Sequence, residues 1–448
     1  MNNSAIPQSK EKHRVIIVGG GAGGLELATR LGNSLGKKNI ADVTLVDKNA
    51  THLWKPLLHE VAAGSMDIHA HQLDYLAQAR WHHFNFRLGA LQALDRTNRQ
   101  IRISALIEDD GEEILPVRTL HYDTLVICIG STVNDFGIPG VAQHALALDT
   151  AEQAEKFHRK LVAACVRVNA QKTLDAEVNV VIIGAGATGV ELSAELRNTT
   201  DVLASYGLNN LNPAENVKLT IIEAAARVLP PLPERVAESA HELLLQKNIG
   251  VLVNEKVTEV TSSSVHTASG KNIHADLIVW AAGIKAPDIL ATLDGLETNR
   301  INQLIVQQTL ATTLDANIFS FGDCASCPWP EKSTPDRPAT IPPRAQSAHQ
   351  QASHLVKSIK SRINGSALTD FHYQDFGSLV SFGDYKAVGS LMGKLIGGSM
   401  FIEGLLARIM YVSLYKLHLI ALHGYFNVVL DTAARFLKRR TEQRVKLD

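Results

Sequence analysis

An excess of charge of either sign is missing. The 448 residues carry 44 Lys and Arg against 45 Asp and Glu, a formal net charge of −1, so no global basic field favours nucleic acid. Cysteine is scarce: Cys128, Cys165, Cys324 and Cys327 are too few and too scattered for a disulfide framework, and a reducing cytosolic setting is expected. No run of about 18 uncharged apolar residues occurs, which argues against a spanning helix. The opening MNNSAIPQSKEKHR has no apolar core and does not read as a signal peptide. What is present is ordinary for a globular chain, 45% hydrophobic and 20% charged. A large core can be buried, and the length suggests roughly two to four domains.

Two stretches stand out. IIVGGGAGG (16–24) and VIIGAGATG (181–189) each empty an apolar run into the spacing G-x-G-x-x-G. Gly19 and Gly184 permit the tight turn, Gly21 and Gly186 let a backbone approach a pyrophosphate, and Gly24 and Gly189 allow close helix–strand packing. Each turn follows a strand pattern, opens a helix pattern, and is answered by an acid at the end of the next strand: Asp47 after ADVTLVD and Glu223 after VKLTIIE. Such a carboxylate accepts hydrogen bonds from a ribose diol and repels a 2′-phosphate, so NADH is favoured over NADPH at the second turn, where Arg227 is the nearest cation. A lone motif of this kind is weak; two complete contexts in one chain are not.

The repeat goes further. YDTLVICIGS (122–131) ends the first half much as ADLIVWAAGIKAP (275–287) ends the second, completing an internal repeat whose glycine turns lie 165 residues apart. Residues 99–107 and 113–118 alternate around EDDGEE, a hairpin signal. The expected class is α/β, with two Rossmann-like dinucleotide-binding domains and a C-terminal α+β region. The first domain takes residues 1–150 and 288–370, the second 151–287, and the C-terminal region 371–448.

Over residues 14–350 the chain resembles the two-dinucleotide flavoproteins, whose first turn holds FAD and whose inserted second fold holds NAD(P)H. IFSFGDCAS (318–326) carries the superfamily's Gly-Asp marker; the matching aspartate, Asp323, bonds the ribityl hydroxyls. HLWKPLLHEVAAGSM (52–66), WAAGIKAP (280–287), PPRAQSAHQQA (342–352), GSLVSFGDYKAVGSLMG (377–393) and HLIALHGYF (418–426) narrow the likeness. The chain is similar to the type II NADH dehydrogenases, single-subunit NADH:quinone oxidoreductases that pump no protons. The resemblance implies non-covalent FAD at Gly19, Gly21, Gly24, Asp47, Gly130, Asp323 and Ala345. It implies NADH at Gly184, Gly186, Gly189, Glu223 and Gly283, and a membrane quinone, ubiquinone or menaquinone, as the electron acceptor.

Three further assignments follow. The segment A-Q-x-A-x-Q-Q is assigned in the family to a flavin-side quinone pocket, which places Gln346 and Gln350, four apart on one helical face, in that role. Glu191, in the first turn of the second dinucleotide helix, matches a family glutamate near the nicotinamide and flavin rings; buried there it would act as a proton donor, the alternative being a helix-dipole acid. Lys55, the one cation in an apolar stretch, is a candidate for flavin or its phosphates, against an ordinary surface lysine.

Cys324 and Cys327 have C-x-x-C spacing but no obvious further metal ligands, and are read as structural thiols. No metal is expected. The tail after residue 400 is apolar but interrupted. On a helix, Arg408, Ser413, Lys416, His423, Asn427 and Asp431 share one arc; Leu405, Ile409, Leu419, Ile420, Leu422, Phe426 and Val429 occupy most of the rest, with Glu403 and His418 breaking the stripe. Residues 401–448 carry eight Lys/Arg and four Asp/Glu. One helix, or two around Gly424, lying in the interface on anionic lipid is expected, packing on the protein's own body being the rival and a homodimer left open. Together with the resemblance, this implies a peripheral place on the cytoplasmic face of the bacterial inner membrane. Rival functions are a sulfide:quinone reductase-like activity and a non-catalytic NADH-sensing flavoprotein.

Overall fold

The computed structural model describes residues 11–108, 110–171, 176–382, 387–393, 398–438 and 445. Asp109 in the expected hairpin turn, residues 383–386 of the C-terminal motif, and the tail's basic Arg439, Arg440, Arg444 and Lys446 lie outside the described residues.

In chain order the first stretch forms β1 (His13–Val18), α1 (Ala22–Leu31), β2 (Ala41–Asp47), α2 (Leu58–Ala63), α3 (Tyr75–His82), β3 (Asn85–Leu88) and β4 (Thr124–Ile127). The middle forms α4 (Ala151–Gln171), β5 (Val178–Ile183), α5 (Ala187–Ser205), β6 (Val217–Ile222), β7 (Ile249–Leu252) and β8 (Leu277–Trp280). The last forms β9 (Ile318–Ser320), α6 (Ala345–Ile363), β10 (Gly377–Ser381), β11 (Ala387–Gly393), β12 (Gly398–Glu403), α7 (Gly404–His423) and α8 (Tyr425–Lys438).

These elements divide into two compact units. One comprises Met1–His52, Leu73–Ser131 and Lys285–Tyr373; the other comprises Leu53–Gln72, Thr132–Ile284 and Gln374–Asp448. The boundaries differ from those expected. Residues 53–72 and 132–150, read as part of the first dinucleotide domain, belong to the second unit. The C-terminal region from Gln374 belongs there too instead of standing by itself. Composition carries no mark of these excursions, because each leaves one core only to enter another.

The first unit is built on a five-stranded parallel sheet in the order β9-β4-β1-β2-β3. Its central strand is buried along Val15–Val18 on both faces, as a parallel strand covered by helices must be. The register Val15↔Val43 through Val18↔Val46 sets Gly19 beside Asp47 at the carboxyl edge. The expected hairpin is present: Leu106–Ile107 pairs with Glu113–Leu115, and Gln100–Ile103 with Arg118–His121.

The second unit repeats the plan with Leu146–Ala147, β8, β5, β6 and β7, again parallel. The register Val178↔Val217 through Ile183↔Ile222 sets Gly184 beside Glu223. An antiparallel sheet, β10-β11-β12, follows, and then the tail breaks at Gly424 (φ +78°) into α7 and α8.

One face of α7 packs on its own unit. Ala407, His418, Leu419 and Leu422 are buried, and the His418 ring lies 4.3 Å from that of Trp54. The opposite face leaves Leu405, Leu406, Ile409, Val412 and Leu417 exposed, and α8 adds Tyr425, Phe426, Val429 and Leu430. The expected two-sided stripe is thereby corrected. Leu419 and Leu422, placed on the outward apolar face, are buried. His418, read as a break, belongs to the packed face because Trp54 covers it. Ser413 sits among the exposed apolar residues, and Lys416, His423 and Asp431 are half-buried. α7 is long and apolar enough to cross a membrane by length and composition alone.

Candidate active site

The two glycine turns superpose in kind, residue for residue. Gly19 and Gly184 have φ of +107° and +105°, where only glycine is unstrained, and each donates its N–H at 2.8 Å to the strand beside it, to Val46 O and Ile222 O. A Cβ on Gly24 would lie 1.8 Å from Gly19 O; one on Gly189 would lie 2.0 Å from Gly184 O. Gly21 and Gly186 are different. Both have ordinary negative φ, and a Cβ there would meet nothing within 4 Å. The backbone does not need glycine at these two places, and the space beside each is open.

Each of these glycines is also the N-cap of its helix, α1 or α5, and no side chain caps either end. Helix α3, by contrast, is capped, with Asp74 accepting the Ala77 N–H at 2.8 Å, whereas α2, α6 and α7 also start without a side-chain cap. Two uncapped amino ends, each with a positive partial charge, facing open space beside glycine, form the cradle a pyrophosphate fits.

The acids hold the loops. Asp47 Oδ2 accepts the Gly20 N–H at 2.6 Å and its Oδ1 the Asn49 N–H at 2.8 Å. Glu223 Oε2 accepts the Ala185 N–H at 2.7 Å and its Oε1 the Ala225 N–H at 2.8 Å. The carbonyl of the same loop residue is tied differently in the two folds. Ala185 O accepts the backbone N–H of Leu229 at 2.8 Å. Gly20 O accepts the Tyr75 hydroxyl at 2.7 Å and lies 2.9 Å from His52 Nδ1, both side chains buried. Burial holds His52 neutral, with its pKa lowered to about 4 despite that bond. Neither residue was singled out from the sequence, since no motif encodes a brace 32 or 55 positions away. Arg227 Nη2 is engaged within its own loop, by Pro230 O at 3.2 Å and Leu232 O at 3.0 Å.

At the other edge of the first unit, Gly130 (φ +73°) leads to Ser131, whose hydroxyl donates to Asp323 Oδ2 at 3.0 Å. A Cβ on Gly130 would meet nothing within 4 Å. The Gly322 turn before Asp323 is held by Gln351, whose Oε1 accepts the Gly322 N–H at 2.9 Å, and Gln303 Nε2 donates to Asp323 O at 2.9 Å. Gln351 is the buried glutamine of the HQQ triplet; its neighbours Gln346 and Gln350 are half-buried on another face of α6. Ala345 is the first residue of α6, which starts after Pro342 and Pro343 with no acid in its first turn. Beneath Gly24, Glu26 of α1 is buried and bonded to His349 Nδ1 of α6 at 2.5 Å and to Arg30 at 2.8 Å. Burial raises its pKa, but the His349 bond and Arg30 outweigh that and hold it low.

In the second unit Glu191 is 8% exposed. Its Oε1 accepts the Ser381 N–H at 3.0 Å, and its Oε2 lies 3.7 Å from Nδ1 of the buried His59. Gly283 (φ +69°) is packed under the Phe136 ring, 2.4 Å from where its Cβ would be. Lys55 falls in the second unit, where its ammonium pairs with Asp149 at 2.8 Å.

All four cysteines are buried thiols. Burial raises Cys324 to about 11 and Cys327 to about 12, so both stay protonated. Among the described residues no group of three or more metal-ligating side chains occurs.

Comparison with known proteins gives the family. The model of the family described as pyridine nucleotide-disulphide oxidoreductase matches residues 13–352. A type II NADH:quinone oxidoreductase of Haemophilus influenzae is 41% identical over 447 residues, covering 97% of this chain and 99% of the relative. One of Staphylococcus aureus is 28% identical over 403 residues, covering 87% and 92%. The solved structure of NDH2 from Plasmodium falciparum in complex with NADH shares the fold at a TM-score of 0.79 and 19% identity, covering 97% of this chain and 100% of that one. The sulfide:quinone oxidoreductase of Aquifex aeolicus shares it at 0.69 and 18%, covering 96% of each. The chain belongs to the pyridine nucleotide-disulphide oxidoreductase family and, within it, to the type II NADH:quinone oxidoreductases.

Proposed function

We propose that the chain is a respiratory NADH:quinone oxidoreductase that takes hydride from NADH onto non-covalent FAD and reduces a membrane quinone, ubiquinone or menaquinone, to the quinol without pumping protons. The observation that carries this reading is the pair of helix amino ends that each open on a glycine whose conformation any residue could adopt and beside which lies open space. Bound FAD supplies the chemistry no side chain has, accepting hydride and releasing two electrons to quinone.

The chain's own residues bind and orient. Gly19, Gly21 and Gly24 with the amino end of α1 would hold the FAD pyrophosphate, Asp47 its ribose and Asp323 its ribityl hydroxyls; Gly130 and Ala345 leave room for it. Gly184, Gly186, Gly189 and Gly283 would do the same for NADH, with Glu223 on the adenosine ribose. A carboxylate at that point repels a 2′-phosphate, and Arg227 is committed to carbonyls of its own loop, so NADH is preferred over NADPH. Gln346 and Gln350, on the half-buried side of α6, line the quinone pocket, and the uncapped amino end of α6 favours negative charge nearby. Glu191 serves nicotinamide placement or proton delivery. The net reaction, NADH plus quinone plus one proton giving NAD and quinol, draws one proton from solvent.

Quinone is dissolved in lipid, and the exposed apolar faces of α7 and α8 are the surface by which the chain would lie on the cytoplasmic side of the inner membrane. The sulfide rival needs reactive thiols, and the four here are buried, Cys324 and Cys327 firmly protonated.

The test is spectroscopic. The purified protein should be yellow, bleach on anaerobic NADH, recover colour on adding quinone, respond weakly to NADPH and not at all to sulfide. A colourless protein that stays inert after incubation with FAD overturns the reading.

A further inference from the structure

Glu191 is gripped from two sides by residues far from it in sequence. Ser381 N–H fixes Oε1 at 3.0 Å, and His59 Nδ1 faces Oε2 at 3.7 Å. His59 is 3% exposed and sits on α2, within the excursion Leu53–Gln72 that the second unit takes from the middle of the first. A carboxylate buried alone is costly, and an imidazole able to hold a proton against it offsets that cost.

We propose that His59 is a positioning residue for Glu191, and that the pair stores the one proton the reaction draws from solvent. This rests on the function given above. Hydride from NADH brings two electrons and one proton; quinol needs two electrons and two protons. The second proton leaves the Glu191–His59 pair as quinone takes its electrons, ends on a quinol oxygen, and is replaced from solvent. Ser381 and His59 together keep the carboxylate in one orientation while its charge changes.

Other charged groups stand near α2. Glu60 is on α2 itself; Glu155, His158 and Arg159 of α4 line a cavity of about 40 Å³ together with Val61, Gly64, Met66 and Ile68. Along α5 the nearest acid is Glu195. Among the described residues, His59 Nδ1 lies 3.7 Å from Glu191 Oε2.

The experiment uses the full-length flavin-loaded protein with NADH and a soluble quinone analogue. His59→Gln should retain flavin and KM for NADH but slow quinone reduction tenfold or more. It should also remove the same step from the pH profile that Glu191→Gln removes. The double variant should be no slower than Glu191→Gln alone, since the two act as one unit. If His59→Gln fails to fold, His59→Ala assayed with added imidazole replaces it, and recovery of rate with imidazole is the expected result. An unchanged rate and pH profile in His59→Gln, fully additive losses in the double variant, or no imidazole response in His59→Ala would overturn the proposal. Failure of the unaltered protein to oxidise NADH with any quinone would overturn the function reading, which is a separate result.

Discussion

Gly21 and Gly186 differ from the glycines that flank them, and the difference can be measured. A methyl group at Gly186 meets no protein atom within 4 Å and needs no unusual φ, whereas one at Gly189 would sit 2.0 Å from Gly184 O. Gly186→Ala should therefore leave the melting temperature within about 2 °C, since surface changes of this kind stay near 0.5 kcal/mol, yet raise KM for NADH at least tenfold. Gly189→Ala should lower the melting temperature by many degrees. Equal effects from the two would contradict the assignment of the open space to a ligand. The glycine spacing, the strand before it and the acid after it were all legible in the sequence because they are local. His52 and Tyr75 were not, because the brace they make on Gly20 O depends on tertiary packing. Replacing Tyr75 by Phe removes one buried donor, costing about 1 kcal/mol, and should loosen flavin severalfold in a dilution assay while leaving nicotinamide affinity unchanged.

Helices α1 and α6 are joined by charge as well as by packing. Glu26 bonds His349 and Arg30, and Ser353 bonds both Arg30 and Glu26. The folded state holds Glu26 below its ordinary pKa. Its contribution is fully present above the unfolded carboxylate pKa and is lost as pH falls through the folded value. His52 acts in the same sense by another route. Its pKa drops from 6.5 to about 4 through burial, so the unfolded chain takes up a proton first, and stability falls between pH 6.5 and 4 by roughly 3 kcal/mol. Flavin release followed by fluorescence should accelerate over that window. Glu26→Gln should flatten the most acid part of the curve, and a curve identical to wild type would show the clasp to be inert. The start of α6 was readable from its two prolines. The clasp was not, because an acid in mid-helix reads as an exposed residue until its partner helix is known.

At the level of the whole chain, the tail was legible as amphipathic but its faces were assigned wrongly in part. Periodicity identifies an apolar side; it does not say which apolar residues are covered by the protein itself. With His418, Leu419 and Leu422 buried, the free face is that of Leu406, Ile409 and Leu417. Changing those three to Glu should release the protein from vesicles of anionic lipid while leaving its melting temperature nearly unchanged. Each large apolar side chain contributes roughly 1.5–3 kcal/mol on burial, so binding should fall more than a hundredfold. Retention in the vesicle pellet would remove this face from the contact. The domain limits were the least legible feature, because the excursion at 53–72 has the composition of the fold it leaves. The interleaving of the two units bears on biogenesis. A ribosome completes the parallel sheet of the second unit when it has translated β8, at Trp280, while β9 and the turn with Asp323 that follows it are still to come. The nascent polypeptide can thus close the inserted sheet before the one into which it is inserted.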